Sequence, residues 1–209
     1  MRAIIIAGGD KMSKSSVSYI ETGDFVICAD RGLNYAYENE IRPNLIVGDM
    51  DSVSLDILKM YADVEQIKFK AEKDFSDSEL AINIAVERGY NDIIMFSATG
   101  TRIDHSLANI MMIGKYYEEG VEISIINEYS EIRILKENNV FKEFNYDFFT
   151  IIPLSRKLEG LDIFNAKYEL RNKTVNFGDT LCVSNEALNN ELRISKQKGN
   201  AILILTNEI

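Results

Sequence analysis

Residues 25–32 read FVICADRG: an apolar run, Phe25 to Ala29, is followed at once by Asp30, Arg31 and Gly32. Other mainly apolar runs recur through the first half of the chain, at Ala3–Ala7, Leu45–Val47, Ile93–Ser97 and Val121–Ile126. Runs without regular polar alternation are typical of strands that are buried on both faces, as in a parallel sheet. The first half is therefore predicted to be built on a parallel sheet.

Two segments between these runs have the periodicity of amphipathic helices, Asp77–Gly89 and Asp104–Tyr117. The first begins with Ser-Asp-Ser-Glu at residues 76–79, which is a capping box. Strands that alternate with helices indicate a doubly wound α/β layer. We therefore predict an N-terminal, mostly parallel α/β/α domain over residues 1–135.

The second half has a different pattern, with short apolar segments separated by turn residues. The segments predicted as strands are Phe148–Pro153, Thr174–Phe177, Leu181–Ser184, Leu192–Ser195 and Ala201–Thr206. Strands at this spacing with no helical period favour an antiparallel sandwich. We predict a small antiparallel β-sandwich domain over residues 136–209.

Composition restricts the partners. The net charge of −10 disfavours nucleic acid, which is bound mainly through clustered Lys and Arg. The two cysteines provide no disulfide framework, so a cytoplasmic location is expected, and no apolar stretch is long enough to predict a membrane span. An acidic protein that handles a nucleotide needs a divalent metal between its carboxylates and the phosphates.

Asp49 and Asp51 follow a predicted strand, where ligands bind in open α/β sheets. Because they lie two residues apart, both carboxylates can turn to one side and share Mg²⁺. The alternative is that they form a turn and cap the helix that follows.

Two further segments carry charged residues that suit phosphate chemistry. Residues 73–77 supply Lys73, Asp74 and Asp77 just before a helix, although Asp77 alone is also explained by the helix dipole. In the second segment, Arg102 can grip a phosphate and Asp104 can bind metal or orient a hydroxyl, while the single histidine, His105, is more often structural.

Three functions remain open from these residues. No GxxxxGK[ST] loop is present, so the sequence excludes a P-loop. An Asp-nucleophile phosphohydrolase would use Asp49 and Asp51 but would leave Arg102 and Asp104 without a role. A non-catalytic nucleotide-sensing module would need phosphate-binding residues but would have no need for Asp104 beside Arg102. The third is an enzyme that handles a nucleotide through a Mg²⁺ ion held by its carboxylates.

Four blocks, taken in order, resemble the thiamine pyrophosphokinase family: ADRG at 29–32, PNLIVGDMDS at 43–52, KDFSD at 73–77 and GTRIDH at 100–105. The likeness continues in the second half with AKYEL at 166–170 and Ser184-Asn185. It implies attack by the thiamine hydroxyl on the β-phosphorus of ATP, with release of AMP.

The resemblance also implies roles for particular residues and a homodimer in which both subunits complete each thiamine site. The metal set would be Asp49, Asp51 and Asp77, and the catalytic set Asp51, Asp77, Arg102 and Asp104. The ATP-binding set would be Asp30, Arg31, Lys73, Asp74, Arg102 and His105. Tyr168, Ser184 and Asn185 would bind thiamine, with Tyr168 as the aromatic ring that faces it.

Overall fold

The computed structural model describes residues 1–69, 75–188 and 191–208. The chain forms two compact units, Met1–Glu128 and Tyr129–Ile209. This division lies seven residues before the one predicted from the sequence, because residues 130–134 form a strand that pairs with residues 201–206 of the second unit. The predicted boundary was placed near a polar stretch, residues 136–145, and this stretch lies inside the second unit.

The first unit is a parallel sheet with helices in its connections. The strands are β1 (Arg2–Ile6), β2 (Phe25–Ala29), β3 (Leu45–Gly48), β4 (Glu65–Lys68), β5 (Asp92–Phe96) and β6 (Glu122–Ile126). Their order is β4-β3-β2-β1-β5-β6, with every neighbouring pair parallel. The chain therefore runs outward from β1 to β4 and returns beside β1 at β5, which makes the β1/β5 boundary a topological switch point.

The helices of this unit are α1 (Gly32–Glu38), α2 (Leu55–Met60), α3 (Asp77–Glu87) and α4 (Ile103–Glu118), with a 3-10 helix at Lys14–Tyr19. The sequence predicted α3 and α4, whereas α1 and α2 are too short to show a clear period. In α3, Ser76 Oγ accepts from Glu79 N at 3.2 Å, but the Glu79 carboxylate pairs with Lys115 at 2.6 Å. The capping box therefore closes in one direction only.

Consecutive residues of the central strands are buried, which explains why they read as unbroken apolar runs. Ile4, Ile5 and Ile6 of β1 are all 0% exposed. Ile4 and Ile6 share a core cluster with Leu33 of α1. The sequence did not predict β4, because this edge strand reads Glu-Gln-Ile-Lys and is only partly buried.

The described part of the second unit contains strands β7 (Ser130–Ile134), β8 (Asn138–Phe141), β9 (Phe148–Pro153), β10 (Lys157–Phe164), β11 (Leu170–Asn176), β12 (Leu192–Ser195) and β13 (Ala201–Thr206). They make two antiparallel arrangements, β7-β13-β9 and β11-β10-β12-β8. Phe149 and Leu203 of the first share a buried cluster with Leu161 and Ile194 of the second. The predicted α/β domain followed by an antiparallel sandwich is confirmed.

The second unit differs from the prediction at one predicted strand and at three strands that were not predicted, β7, β8 and β10. Leu181–Ser184 was wrongly predicted as a strand: it consists of turns and bends, and Ser184 has a left-handed backbone with φ 54°. The eight-residue strand β10 was not predicted, because Gly160 in its centre interrupts the apolar pattern. Gly160 has φ 67° and lies where the pairing with β11 shifts register, as at a β-bulge.

Among the helices that the structure describes, none combines the length and apolar character needed to cross a bilayer.

Candidate functional site

A cleft of about 210 Å³ opens at the carboxyl ends of the strands of the first unit. Its lining residues are Gly8, Ala29, Asp30, Ser76, Asp77, Ser78 and His105. They come from the ends of β1 and β2 and from the first turns of α3 and α4. The structure thus brings together loops that the sequence placed on separate strands, and two helix N-termini supply N–H groups suited to anions.

Three strand ends around this cleft adopt backbone conformations that L residues rarely take. Asp30 after β2 has φ 45°, Met50 after β3 has φ 64°, and Ser97 after β5 has φ 53°. A left-handed non-glycine residue costs of order 1 kcal/mol or more, and such residues cluster at functional sites. This strain could not be predicted from the sequence, because none of the three residues is glycine.

Two glycines allow the strand-end loops to approach each other closely. Gly9 donates its N–H to Ser97 O at 2.7 Å, and a Cβ on Gly9 would collide with the carbonyls of Ser97 and Thr99. Gly48 has φ 138°, and a Cβ there would collide with Asp30 Oδ1. Only glycine, which has no side chain, therefore allows the strand-end loops to pack this closely at both positions.

Asp30 is a strongly perturbed carboxyl of the cleft. Burial, a hydrogen-bonding contact with Asp77 and the negative charges of Asp77 and Asp49 raise its pKa to about 7, while the Met50 backbone opposes the shift. Its Oδ1 is buried and has no hydrogen-bond partner. A buried, unsatisfied carboxylate oxygen among other carboxylates suits a bound cation.

Asp49 and Asp51 lie together at the exposed end of β3. The backbone N–H of Asp51 donates to Asp49 Oδ1 at 3.0 Å, and the negative charge of Asp49 raises the pKa of Asp51. The pair therefore does form a turn. It does not cap α2, because Ser54 has that place, with its Oγ accepting from Ile57 N at 3.4 Å.

These carboxylates supply the donor atoms of a candidate metal site. Within residues 1–69, 75–188 and 191–208, no three Asp, Glu, His or Cys side chains are already arranged to hold a metal ion. The oxygen donors of Asp49, Asp51 and Asp77 nevertheless match the preference of Mg²⁺ for carboxylate ligands. Together with the unsatisfied Oδ1 of Asp30, their chemistry fits a hard divalent cation.

Arg102 and Asp104 form a two-point ion pair at the start of α4. Arg102 Nε lies 2.9 Å from Asp104 Oδ1, and its Nη2 lies 2.5 Å from Oδ2. The hydrogen bonds from Arg102 hold the pKa of Asp104 well below its usual range, and the His105 backbone N–H adds to this. Both side chains are largely exposed, so Arg102 can move to another anionic partner without losing buried contacts.

Arg31, Lys73 and Asp74 are the other residues predicted to bind ATP. Arg31 is exposed at the N-terminal boundary of α1, one residue beyond Asp30. Lys73 and Asp74 lie outside the described residues. Gly8 and Ser78 line the cleft but were not predicted, and the Tyr35 hydroxyl donates to Gly9 O at 2.8 Å. A tyrosine far along the chain carries no sequence signal for such a contact.

The predicted thiamine-side residues belong to the second unit. Tyr168 is 63% exposed, so it is not part of the core of this unit. Ser184 donates its N–H to Thr150 Oγ1 at 2.9 Å. Asn185 is 4% exposed, and its side chain is hydrogen-bonded to the backbone of Tyr168. The structure thus brings Tyr168 and Asn185 into direct contact, although 17 positions separate them in sequence.

Comparison with protein families gives two matches, one in each unit. Residues 17–125 match the thiamin pyrophosphokinase catalytic domain, and residues 130–200 match the thiamin pyrophosphokinase vitamin B1 binding domain. The fold, the strand-end cleft and these two matches define a kinase-type enzyme with a separate β-rich unit.

Individual relatives agree with this class. The chain is 30% identical to thiamine pyrophosphokinase of Bacillus subtilis over 205 residues, covering 96% of each protein. A crystal structure of the B. subtilis protein superimposes with a TM-score of 0.90 at 28% identity, covering all of both chains. The thiamin pyrophosphokinase structure from Geobacillus thermodenitrificans gives 0.86 at 28% identity, covering 100% of this chain and 98% of the other. The chain belongs to the thiamin pyrophosphokinase family.

Proposed function

We propose that this protein transfers a diphosphate group from ATP to the hydroxyl of thiamine, giving thiamine diphosphate and AMP. Membership of the family supports the reaction. The cleft at the carboxyl ends of β1 and β2 is the observation from which we assign the ATP site to this part of the first unit. There, the N-termini of α3 and α4 offer N–H groups to phosphate oxygens, and Asp30 and Asp77 face the same space.

Mg²⁺ would be held by Asp49, Asp51 and Asp77, and when bound it neutralises charge on the phosphates of ATP. Asp30, Arg31, Lys73, Asp74, Arg102 and His105 form the proposed ATP-binding set. Asp30 and His105 both line the cleft. Tyr168, Ser184 and Asn185 form the proposed thiamine-binding set, with the exposed Tyr168 ring facing the cationic substrate.

Arg102 and Asp104 are proposed to act in sequence. While Arg102 holds it, Asp104 has a lowered pKa and accepts protons poorly. When Arg102 turns to a phosphate oxygen, Asp104 loses the main cause of that lowering and becomes a better acceptor for the hydroxyl proton. The freed carboxylate then orients the hydroxyl oxygen for attack on the β-phosphorus, with AMP as the leaving group.

The nucleotide product tests this function. With MgATP and thiamine, we expect AMP and thiamine diphosphate in equal amounts, measured by chromatography of the quenched reaction. Equal amounts of ADP and thiamine monophosphate would instead show transfer of one phosphate. Release of inorganic phosphate without thiamine would support the phosphohydrolase alternative, and nucleotide binding without turnover would support the sensor.

A homodimer is also proposed, and an apolar stripe on α4 supports it. Ile103, Leu107 and Met111 are spaced four residues apart and are 77%, 56% and 48% exposed. A second copy would cover this stripe beside Asp104 and so complete the site. Because both cysteines are buried and unpaired, we retain a cytoplasmic location as part of the proposal.

Light scattering of the purified protein is expected to give the mass of two chains. Leu107→Lys places a charge in the stripe and should shift the mass toward one chain at micromolar concentration. The matched control is Leu55→Lys, since Leu55 is 74% exposed on α2 and lies outside the stripe. A wild-type monomer with full activity would refute the proposed dimer.

A further inference from the structure

The side chain of Asn185 occupies the place of a strand partner for Tyr168. Asn185 Oδ1 accepts from Tyr168 N at 3.1 Å, and Asn185 Nδ2 donates to Tyr168 O at 2.8 Å. These two bonds reproduce the paired N–H and C=O contacts that one residue of a β-ladder gives its neighbour. The side-chain amide therefore holds the backbone of Tyr168 on both of its polar groups.

The other hydrogen bonds of Asn185 anchor it to the core of the second unit. Its backbone N–H donates to Phe149 O at 2.9 Å, and its C=O accepts from Phe149 N at 2.8 Å. Phe149 is 0% exposed in β9. Oδ1 also accepts from Glu186 N at 2.9 Å. Asn185 thus links the exposed Tyr168 to a fully buried strand residue.

The segment that carries Tyr168 has other attachments on both sides of it. After Tyr168, Glu169 Oε1 accepts from Asn165 N at 2.9 Å and Leu170 pairs with Ile163. Lys167 N donates to Glu186 O at 2.9 Å, and the Lys167 side chain pairs with Glu186 at 2.6 Å. Ala166 bridges to Ala187 in the antiparallel sense. At Tyr168 itself the ladder continues through the Asn185 side chain, so the direction in which the ring leaves the backbone depends on that amide.

We infer that, within the thiamine-binding set, Asn185 is a positioning residue, acting through the backbone of Tyr168 and not as a separate polar contact to the substrate. This inference rests on the proposed function. Asn185 is 4% exposed and its Oδ1 already accepts two N–H groups, whereas the Tyr168 ring is 63% exposed. A flat aromatic ring binds a cationic ring well only when its face is held in one orientation.

A double-mutant cycle separates positioning from direct contact. Tyr168→Ala is expected to raise the thiamine KM about tenfold with the ATP KM nearly unchanged, and Tyr168→Trp should be tolerated. Asn185→Ala is expected to raise the thiamine KM by a similar factor. In the Tyr168→Ala background, Asn185→Ala should add less than about twofold, because the ring it orients is already gone.

Asn139 provides a matched control. It is 8% exposed in the same unit, and its Nδ2 donates to Lys136 O at 2.8 Å. Asn139→Ala should lower the melting temperature as Asn185→Ala does and leave the thiamine KM unchanged. Asn185→Asp retains the acceptor for Tyr168 N and loses the donor to Tyr168 O, so it should rescue part of the thiamine affinity.

Hydrogen exchange gives a readout that does not depend on turnover. The Tyr168 amide, which bonds to Asn185 Oδ1, should exchange faster in Asn185→Ala and remain protected in Asn139→Ala. If the two KM effects instead multiply to about 100-fold, or if Asn185→Ala raises the ATP KM equally, the positioning role is wrong. Failure of the wild-type protein to form thiamine diphosphate would reject the proposed function itself.

Discussion

Replacement of Asp51 by Asn is expected to lower kcat for thiamine diphosphate formation by at least about 100-fold while the fold remains intact. Asp51 is exposed at the end of β3, so the change leaves the core untouched. It removes one carboxylate from the proposed Mg²⁺ set, in which the charge of Asp49 already raises the pKa of Asp51. A carboxylate lost from this set weakens the hold on the cation that neutralises phosphate charge, and loss of electrostatic stabilisation of this kind commonly costs a factor of about 100 to 1,000 in turnover.

The measurement is steady-state turnover at increasing Mg²⁺, with thermal unfolding recorded on the same samples. Asp51→Asn should need more Mg²⁺ for half-maximal rate and should unfold within about 2 °C of the wild type. Asp56→Asn is the control, because Asp56 lies five residues away on α2 and pairs only with Lys59, at 3.5 Å, among the described contacts. Normal Mg²⁺ dependence in Asp51→Asn would place the metal elsewhere.

Replacement of Asp30 by Asn is expected to stabilise the metal-free protein above neutral pH and to reduce activity by a factor similar to that of Asp51→Asn. The pKa of Asp30 is raised from 3.8 to about 7, so the folded protein binds this proton more tightly than the unfolded chain. The free energy of unfolding therefore falls as pH rises from about 4 to about 7 and stays lower above that range. Asparagine cannot ionise and escapes this loss.

The stability gain at pH 8 should be about 1 to 2 kcal/mol, since the group is only half-buried and solvent screens part of the effect. Denaturant unfolding with a chelator present should show the difference at pH 8 and its disappearance near pH 4. Saturating Mg²⁺ should narrow the difference at pH 8, because the cation stabilises the ionised wild-type carboxylate. A variant that is less stable than the wild type at pH 8 would contradict this origin of the raised pKa.

The parallel sheet was predictable because burial on both faces leaves a direct trace in composition, as in Ile4, Ile5 and Ile6. An edge strand is only partly buried and so lacks this apolar composition, and β4 was missed for that reason. Short apolar segments between turn residues likewise predicted β12 and β13. This pattern failed at β10, where Gly160 breaks it to permit a register shift, and at Leu181–Ser184, where apolar residues occupy turns.

The grouping of Asp30 with His105 followed from the rule that ligands bind beyond the carboxyl ends of strands, whereas Asp77 was expected only to lie just before a helix. Spacing alone did not reveal the raised pKa of Asp30, which depends on burial and on a carboxylate 47 positions further along the chain. Nor did it reveal the engagement of Asn185 with Tyr168. Contacts of that kind arise from tertiary pairing, which local pattern does not encode.

The place of β13 has a consequence for the order in which the protein can fold during synthesis. β13 pairs with β7 on one side and β9 on the other, yet it is the last of the three to be made. Until it emerges from the ribosome, β7 and β9 lack their common partner, and both expose unpaired backbone groups. In the first unit, by contrast, every strand that the structure describes has been made once residue 126 is available. The nucleotide-side unit is thus expected to fold early, while the β-rich unit waits for its central strand.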